Sequence, residues 1–121
     1  MLQISMPRGD MRVERFTLML NNSPYIDLDE IFFTVKKSVN HKTPLIQKKL
    51  SNGTITLDNE SFKFVILPED TDDLDYGHYV FDIELVKAGE IKQTFVGGLE
   101  LTSEVTFAEN EVEEEPDDEN G

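Results

Sequence analysis

The densest cluster of reactive side chains is PEDTDDLDYGHY, from Pro68 to Tyr79, where Glu69, Asp70, Asp72, Asp73 and Asp75 stand before or beside Tyr76, Gly77, His78 and Tyr79. Carboxylates at such density are the ligand type that calcium takes. A helix–loop–helix calcium site needs oxygen ligands at loop positions 1, 3 and 5, glycine at 6 and glutamate at 12. Counting from Asp73 puts Asp75 third but Gly77 fifth and His78 sixth. Counting from Asp70 puts Leu74 fifth and Phe81 twelfth. Neither register works, which leaves only an irregular calcium site open.

A corner between two strands accounts for more of the same residues. Pro68 ends a strand, and Asp70 or Thr71 can cap a single helical turn through a side-chain oxygen. The acids lie near that turn's N-terminus, where the helix dipole favours negative charge. Leu74 then points to the core, Gly77 permits the turn and Tyr79 begins the next strand. The order Leu74, Gly77, Tyr79 resembles the tyrosine corner of immunoglobulin-like sandwiches, where the tyrosine hydroxyl bonds backbone a few residues upstream.

The remaining chemistry is sparse. Arg8-Gly9-Asp10 matches a tripeptide of integrin ligands, but glycine followed by aspartate is also ordinary turn chemistry. His41 and His78 are the two histidines, and both are expected at the surface. There is no cysteine, which removes disulfides, thiolate nucleophiles and sulfur-based zinc sites. No serine sits in a nucleophile elbow and no glycine-rich phosphate loop precedes a helix. With 25 acids in the chain, a pair of carboxylates at glycosidase spacing carries no information. The assignment is therefore no catalytic residue, no cofactor-binding residue, no metal ligand and no enzyme. Lys36-Lys37 and Lys48-Lys49 form two basic spots, read as solvated charges that keep strand edges from pairing. A functional version would have them receive an acidic tail from a neighbouring subunit.

Period-two alternation must position all of these groups. IFFTVKKS puts Ile31, Phe33 and Val35 on one face, SFKFVIL does so with Phe62, Phe64 and Ile66, and YVFDIELV with Tyr79, Phe81, Ile83 and Leu85. RFTLML offers Phe16, Leu18 and Leu20, whereas Met11 and Val13 fall in the opposite phase; a bulge or a change of partner would reconcile them. Gly89 predicts a hairpin turn after Leu85. The returning strand carries Ile91, Phe95, Leu99, Leu101 and Val105 in one phase, with a bend or close backbone approach at Gly97-Gly98. Turn signals at 21–24, 40–44, 51–53 and 58–59 separate these segments. The prediction is an all-β antiparallel sandwich of about seven to eight strands.

Charge divides the chain in two. Of the formal net charge of −14, eight acids lie in AENEVEEEPDDENG, residues 108–121, which has no lysine or arginine; the rest leaves −6 on residues 1–107. The tail is aromatic-free and proline-bearing, so it is expected to stay disordered beside a folded domain spanning 1–107. A chain this acidic repels phosphate, which argues against nucleic acid. No apolar run approaches the eighteen residues of a membrane helix, and no secretory signal is apparent at the start, so no membrane association is expected.

Four segments, MPRGD, FFTVKKS, LPEDTDDLDYGHYVFDIEL and GGLELTSEVT, occur in an order that resembles a family of small immunoglobulin-like proteins encoded among the structural genes of tailed phages and prophages of Gram-positive bacteria. That family is similar to the N-terminal domains of baseplate upper proteins. The resemblance covers about residues 1–107 and is most specific from Pro68 to Ile83. It implies a non-enzymatic role in virion assembly, with other phage structural proteins and further copies of the chain as partners. The expected location is the virion or the host cytoplasm. The acidic tail departs from the family pattern. The alternative is a carbohydrate- or cell-surface-binding sandwich. It is disfavoured by the absence of tryptophan and by three tyrosines, of which Tyr25 and Tyr76 are expected at the surface.

Overall fold

The computed structural model describes residues 2–103. The acidic tail and Val105 lie outside the described residues. Ten strands follow one another: β1 (Leu2–Pro7), β2 (Arg12–Phe16), β3 (Met19–Leu20), β4 (Ser23–Pro24), β5 (Glu30–Lys36), β6 (Ile46–Lys49), β7 (Ile55–Asp58), β8 (Ser61–Ile66), β9 (Gly77–Lys87) and β10 (Glu90–Thr102). One helical turn, α1 (Pro68–Thr71), sits between β8 and β9.

Eight of these strands form two sheets. The larger runs β1-β10-β9-β5-β6 and the smaller β2-β8-β7, while β3 and β4 make a separate two-stranded ribbon. Every pairing is antiparallel except β1 with β10, which runs parallel from Leu2 beside Gly97 to Pro7 beside Thr102. Two such sheets, joined by the corner between β8 and β9, make an immunoglobulin-like sandwich.

The alternating positions named from sequence are the ones that meet. Ile31, Phe33, Val35, Phe62, Phe64, Ile66, Phe81, Ile83 and Leu85 are all buried. Phe33 of the larger sheet stacks on Phe64 of the smaller with ring centroids 4.2 Å apart. Phe81 adds an edge contact to Phe33 at 5.2 Å. Burying each such ring contributes about 1.5–3 kcal/mol, which makes this cross-sheet cluster the main tie between the layers.

At Gly97 the backbone approaches too closely for any side chain. A Cβ there would lie 2.7 Å from the Leu2 carbonyl oxygen and 2.9 Å from Cε1 of Phe81. The close approach expected at the glycine pair is thus real, and it lets β1 seat against β10.

Three expectations need correction. The strand carrying Ile91 does not keep one phase, because a bulge between Ile91 and Gln93 shifts the register against β9. Ile91 therefore pairs with outward-facing Val86 and is 58% exposed. Lys48 is not a solvated edge charge; it is buried and ion-paired to Asp70. Neither remedy proposed between Val13 and Phe16 is used: β2 pairs with β8 in unbroken register from Arg12 to Phe16, and only beyond it do Met19–Leu20 pair with β4. Met11 and Val13 consequently face solvent.

Candidate functional site

The acidic stretch from Pro68 to Tyr79 is a structural corner. The Tyr79 hydroxyl donates to the Asp75 carbonyl oxygen at 2.6 Å. Gly77 adopts φ of 126°, a conformation that favours glycine, and Leu74 packs against the core. Asp70 does not cap from the first position. It sits in the turn and reaches back, so that its Oδ2 accepts the Leu67 N–H at 2.8 Å and the Lys48 ammonium at 2.6 Å. Thr71 is fully buried, and its hydroxyl oxygen accepts the Gly9 N–H at 2.8 Å.

That last bond docks the Arg8-Gly9-Asp10 turn onto the corner. The Arg8 guanidinium donates to the Leu74 carbonyl at 3.2 Å and to the Tyr76 hydroxyl at 3.1 Å, and it lies 4.2 Å from the centre of the Tyr76 ring. Two motifs that the sequence left separate are therefore one assembly. His41 and His78 are both exposed, as expected. Among the described residues no group of three histidine or acidic side chains is placed to hold a metal ion.

The opposite end of the sandwich carries a groove that no sequence signal announced. Asn21 and Asn22 both have positive φ, 53° and 65°, which closes β3 onto β4 through a two-residue hairpin loop. The ribbon gains one more rung where the Tyr25 N–H donates to the Leu18 carbonyl at 2.8 Å. Leu18, Met19, Leu20, Tyr25 and Leu28 then form one wall, and Leu85, Gln93 and Phe95 the other, around about 580 Å³. Met19 and Leu20 remain 59% and 55% exposed on its lip.

Electrostatics frame this groove without entering it. Lys87 lines its rim and donates to Asp27 at 2.8 Å, with Asp29 3.7 Å away. The hydrogen bond to Asp27 holds the Lys87 pKa above its usual value. The groove's outer wall is also a sheet edge. Among the described residues β1 covers β10 only from Gly97 onward, so the stretch from Ile91 to Val96 has no ladder partner on that side. The arrangement suits an extended chain, with backbone bonding to the edge and alternate side chains entering the groove.

No helix among the described residues is long and apolar enough to cross a membrane, which says nothing of a β-barrel.

No family of known proteins matches this chain. No curated protein matches it either. Among solved structures it is similar to that of the NK cell receptor Nkp44, described as a triggering partner in natural cytotoxicity, at 16% identity and a TM-score of 0.48, covering 83% of this chain and 96% of that one.

Proposed function

We propose that the chain is a non-enzymatic protein-binding module that takes an extended segment of its partner onto the open edge of β10. In the setting implied by its resemblance to phage structural proteins, that partner is another component of the virion or its baseplate. The observation that carries the reading is the coincidence of an unpartnered edge from Ile91 to Val96 with an apolar groove lined by Gln93 and Phe95 of the same strand. Backbone bonding supplies affinity in such strand addition, and side-chain pockets supply selectivity. A glycan-binding reading has less support, because the exposed Tyr76 ring already carries the Arg8 guanidinium.

The test uses particles from the strain that encodes the chain, compared with particles in which Met19→Glu and Leu20→Glu are introduced together. Both side chains are exposed, so the doubly substituted protein should fold. Stoichiometric wild-type peptides in gradient-purified particles, with loss of the substituted chain from them, are expected. Absence of the wild-type chain from particles removes the virion setting. Equal incorporation of both removes the groove as the binding surface.

A further inference from the structure

We propose that the segment added to β10 alternates apolar and basic residues, with apolar side chains entering the groove and a lysine or arginine between them reaching Glu84 on the outer face of the larger sheet. This rests on the strand-addition reading above and specifies which strand is taken. The register decides which groups meet the incoming chain. Along a strand, the N–H and C=O of one residue point to one neighbour and those of the next residue to the other. The Arg8 N–H donates to the Thr102 carbonyl at 3.0 Å, and β10 keeps unbroken register from Gln93 to Leu101. Every second residue back from Thr102 therefore turns its backbone groups toward the β1 side. Because β1 begins with Leu2 beside Gly97, the Thr94 N–H and C=O and the Val96 N–H face the open edge. A residue paired with Thr94 bonds to both of its backbone groups. Its two neighbours then stand beside Gln93 and Phe95, which line the groove.

On the outer face the residues fall in rows across the sheet. Phe32, Glu84 and Thr94 stand side by side, as do Thr34, Asp82 and Val96. The residue opposite Thr94 is thus two strand spacings, about 10 Å, from Glu84, with only the short threonine side chain between them. A lysine or arginine crosses that gap with its aliphatic stem lying along Thr94 and its charge at the carboxylate. Among the described residues neither Glu84 nor Asp82 makes an ion pair. The nearby lysines leave Glu84 open. Lys36 acts on Asp82 and pairs with Val80, on the far side of the Asp82 row from Glu84. Lys49 pairs with Phe32 and lies 5.7 Å from the centre of its ring, one strand beyond Glu84. A second basic residue two places along the incoming segment stands beside Val96, in the row of Asp82. An acidic residue at either place would meet like charge, which selects against it.

The test titrates the full-length ¹⁵N protein with capped octapeptides. One alternates valine and lysine, a second alternates valine and glutamate, and a third carries the valines and lysines of the first in two separate blocks. The alternating valine–lysine peptide is expected to shift the backbone amides of residues 91–96 and to bind more tightly than either of the others. Glu84→Gln, a change at a half-buried surface position, should weaken that peptide about twofold to fivefold, as loss of a partly solvated ion pair does. It should leave the binding of an alternating valine–threonine peptide unchanged. If no peptide shifts residues 91–96, strand addition itself fails and this inference falls with it. Equal binding of the valine–glutamate peptide, or indifference to Glu84→Gln, overturns the basic segment and leaves strand addition standing. Equal binding of the blocked peptide assigns the attraction to the acidic body as a whole and overturns the alternating pattern.

Discussion

The Tyr79 hydroxyl lies 2.6 Å from the carbonyl oxygen of Asp75, four residues upstream. That one bond fixes the direction in which the chain enters β9, the central strand of the larger sheet. It also sets Leu74, Tyr76 and Thr71 where Arg8 and Gly9 can bond to them. The acidic stretch thus works as a joint between the first turn of the chain and its longest hairpin.

Tyr79→Phe should cost about 1–2 kcal/mol in a urea titration, because the ring still fills its site while the Asp75 carbonyl loses its donor. Burial, and then the neighbouring Asp75 charge, raise the Tyr79 pKa above its usual value. The folded state therefore keeps this proton longer than the unfolded state does. Its contribution is complete below the unfolded value of about 10 and is lost as pH rises from there through the folded pKa. The phenylalanine variant should lack that alkaline loss, so the two stability curves converge at high pH. Parallel curves would show that the hydroxyl is not held as described.

Asp70→Ala should be more damaging than Lys48→Met. The first leaves a buried ammonium without its carboxylate and also frees the Leu67 N–H, at a cost of about 3–5 kcal/mol. The second removes the buried charge and leaves Asp70, the more exposed partner, bonded to backbone. A cost within about 1 kcal/mol is expected for it, and the double variant should recover most of what Asp70→Ala loses. Equal damage from both single changes would mean that the ion pair, rather than the stranded lysine, decides stability.

Much of this architecture can be read from period-two alternation, since each buried position in β5, β8 and β9 shares a face with the next-but-one residue. The corner was legible for a different reason: leucine, glycine and tyrosine occupy fixed offsets that only one local geometry uses. What escaped was whatever depends on register between distant segments. The bulge beside Ile91 inverts a face without changing residue types, and nothing local to β1 shows that it runs parallel to β10. The burial of Lys48 depends on Asp70, 22 residues away, and its neighbour Lys49 looks the same in sequence yet is only half-buried. The groove arises where the β3–β4 ribbon folds beside the β9–β10 hairpin, a meeting that no single segment encodes.

Ala88→Asn should stabilise the fold. Ala88 and Gly89 both have positive φ, 56° and 78°, as a two-residue hairpin loop requires, and alanine is poorly suited to the first of them. Asparagine tolerates that conformation and keeps the backbone N–H that Asp29 Oδ2 accepts at 2.6 Å. A gain of about 0.5–1 kcal/mol is expected in the urea midpoint with an unchanged slope. A loss would indicate that the loop relaxes to negative φ in solution.

Asp82→Asn should also stabilise the protein, but only above a defined pH. Asp82 stands on the outer face of the larger sheet, where burial raises its pKa more than the neighbouring Lys36 charge lowers it. The folded state therefore binds this proton more tightly than the unfolded state. Stability falls as pH rises from the unfolded value of about 3.9 through the folded pKa, and the deficit persists at neutral pH. Asparagine carries no such penalty. Its advantage, less than about 1 kcal/mol for a group that is partly solvated, should be present at pH 7 and vanish near pH 3. Urea titrations of both proteins at the two pH values decide the matter. An advantage of the same size at both would assign the gain to packing, and a loss at pH 7 would show that attraction to Lys36 outweighs burial.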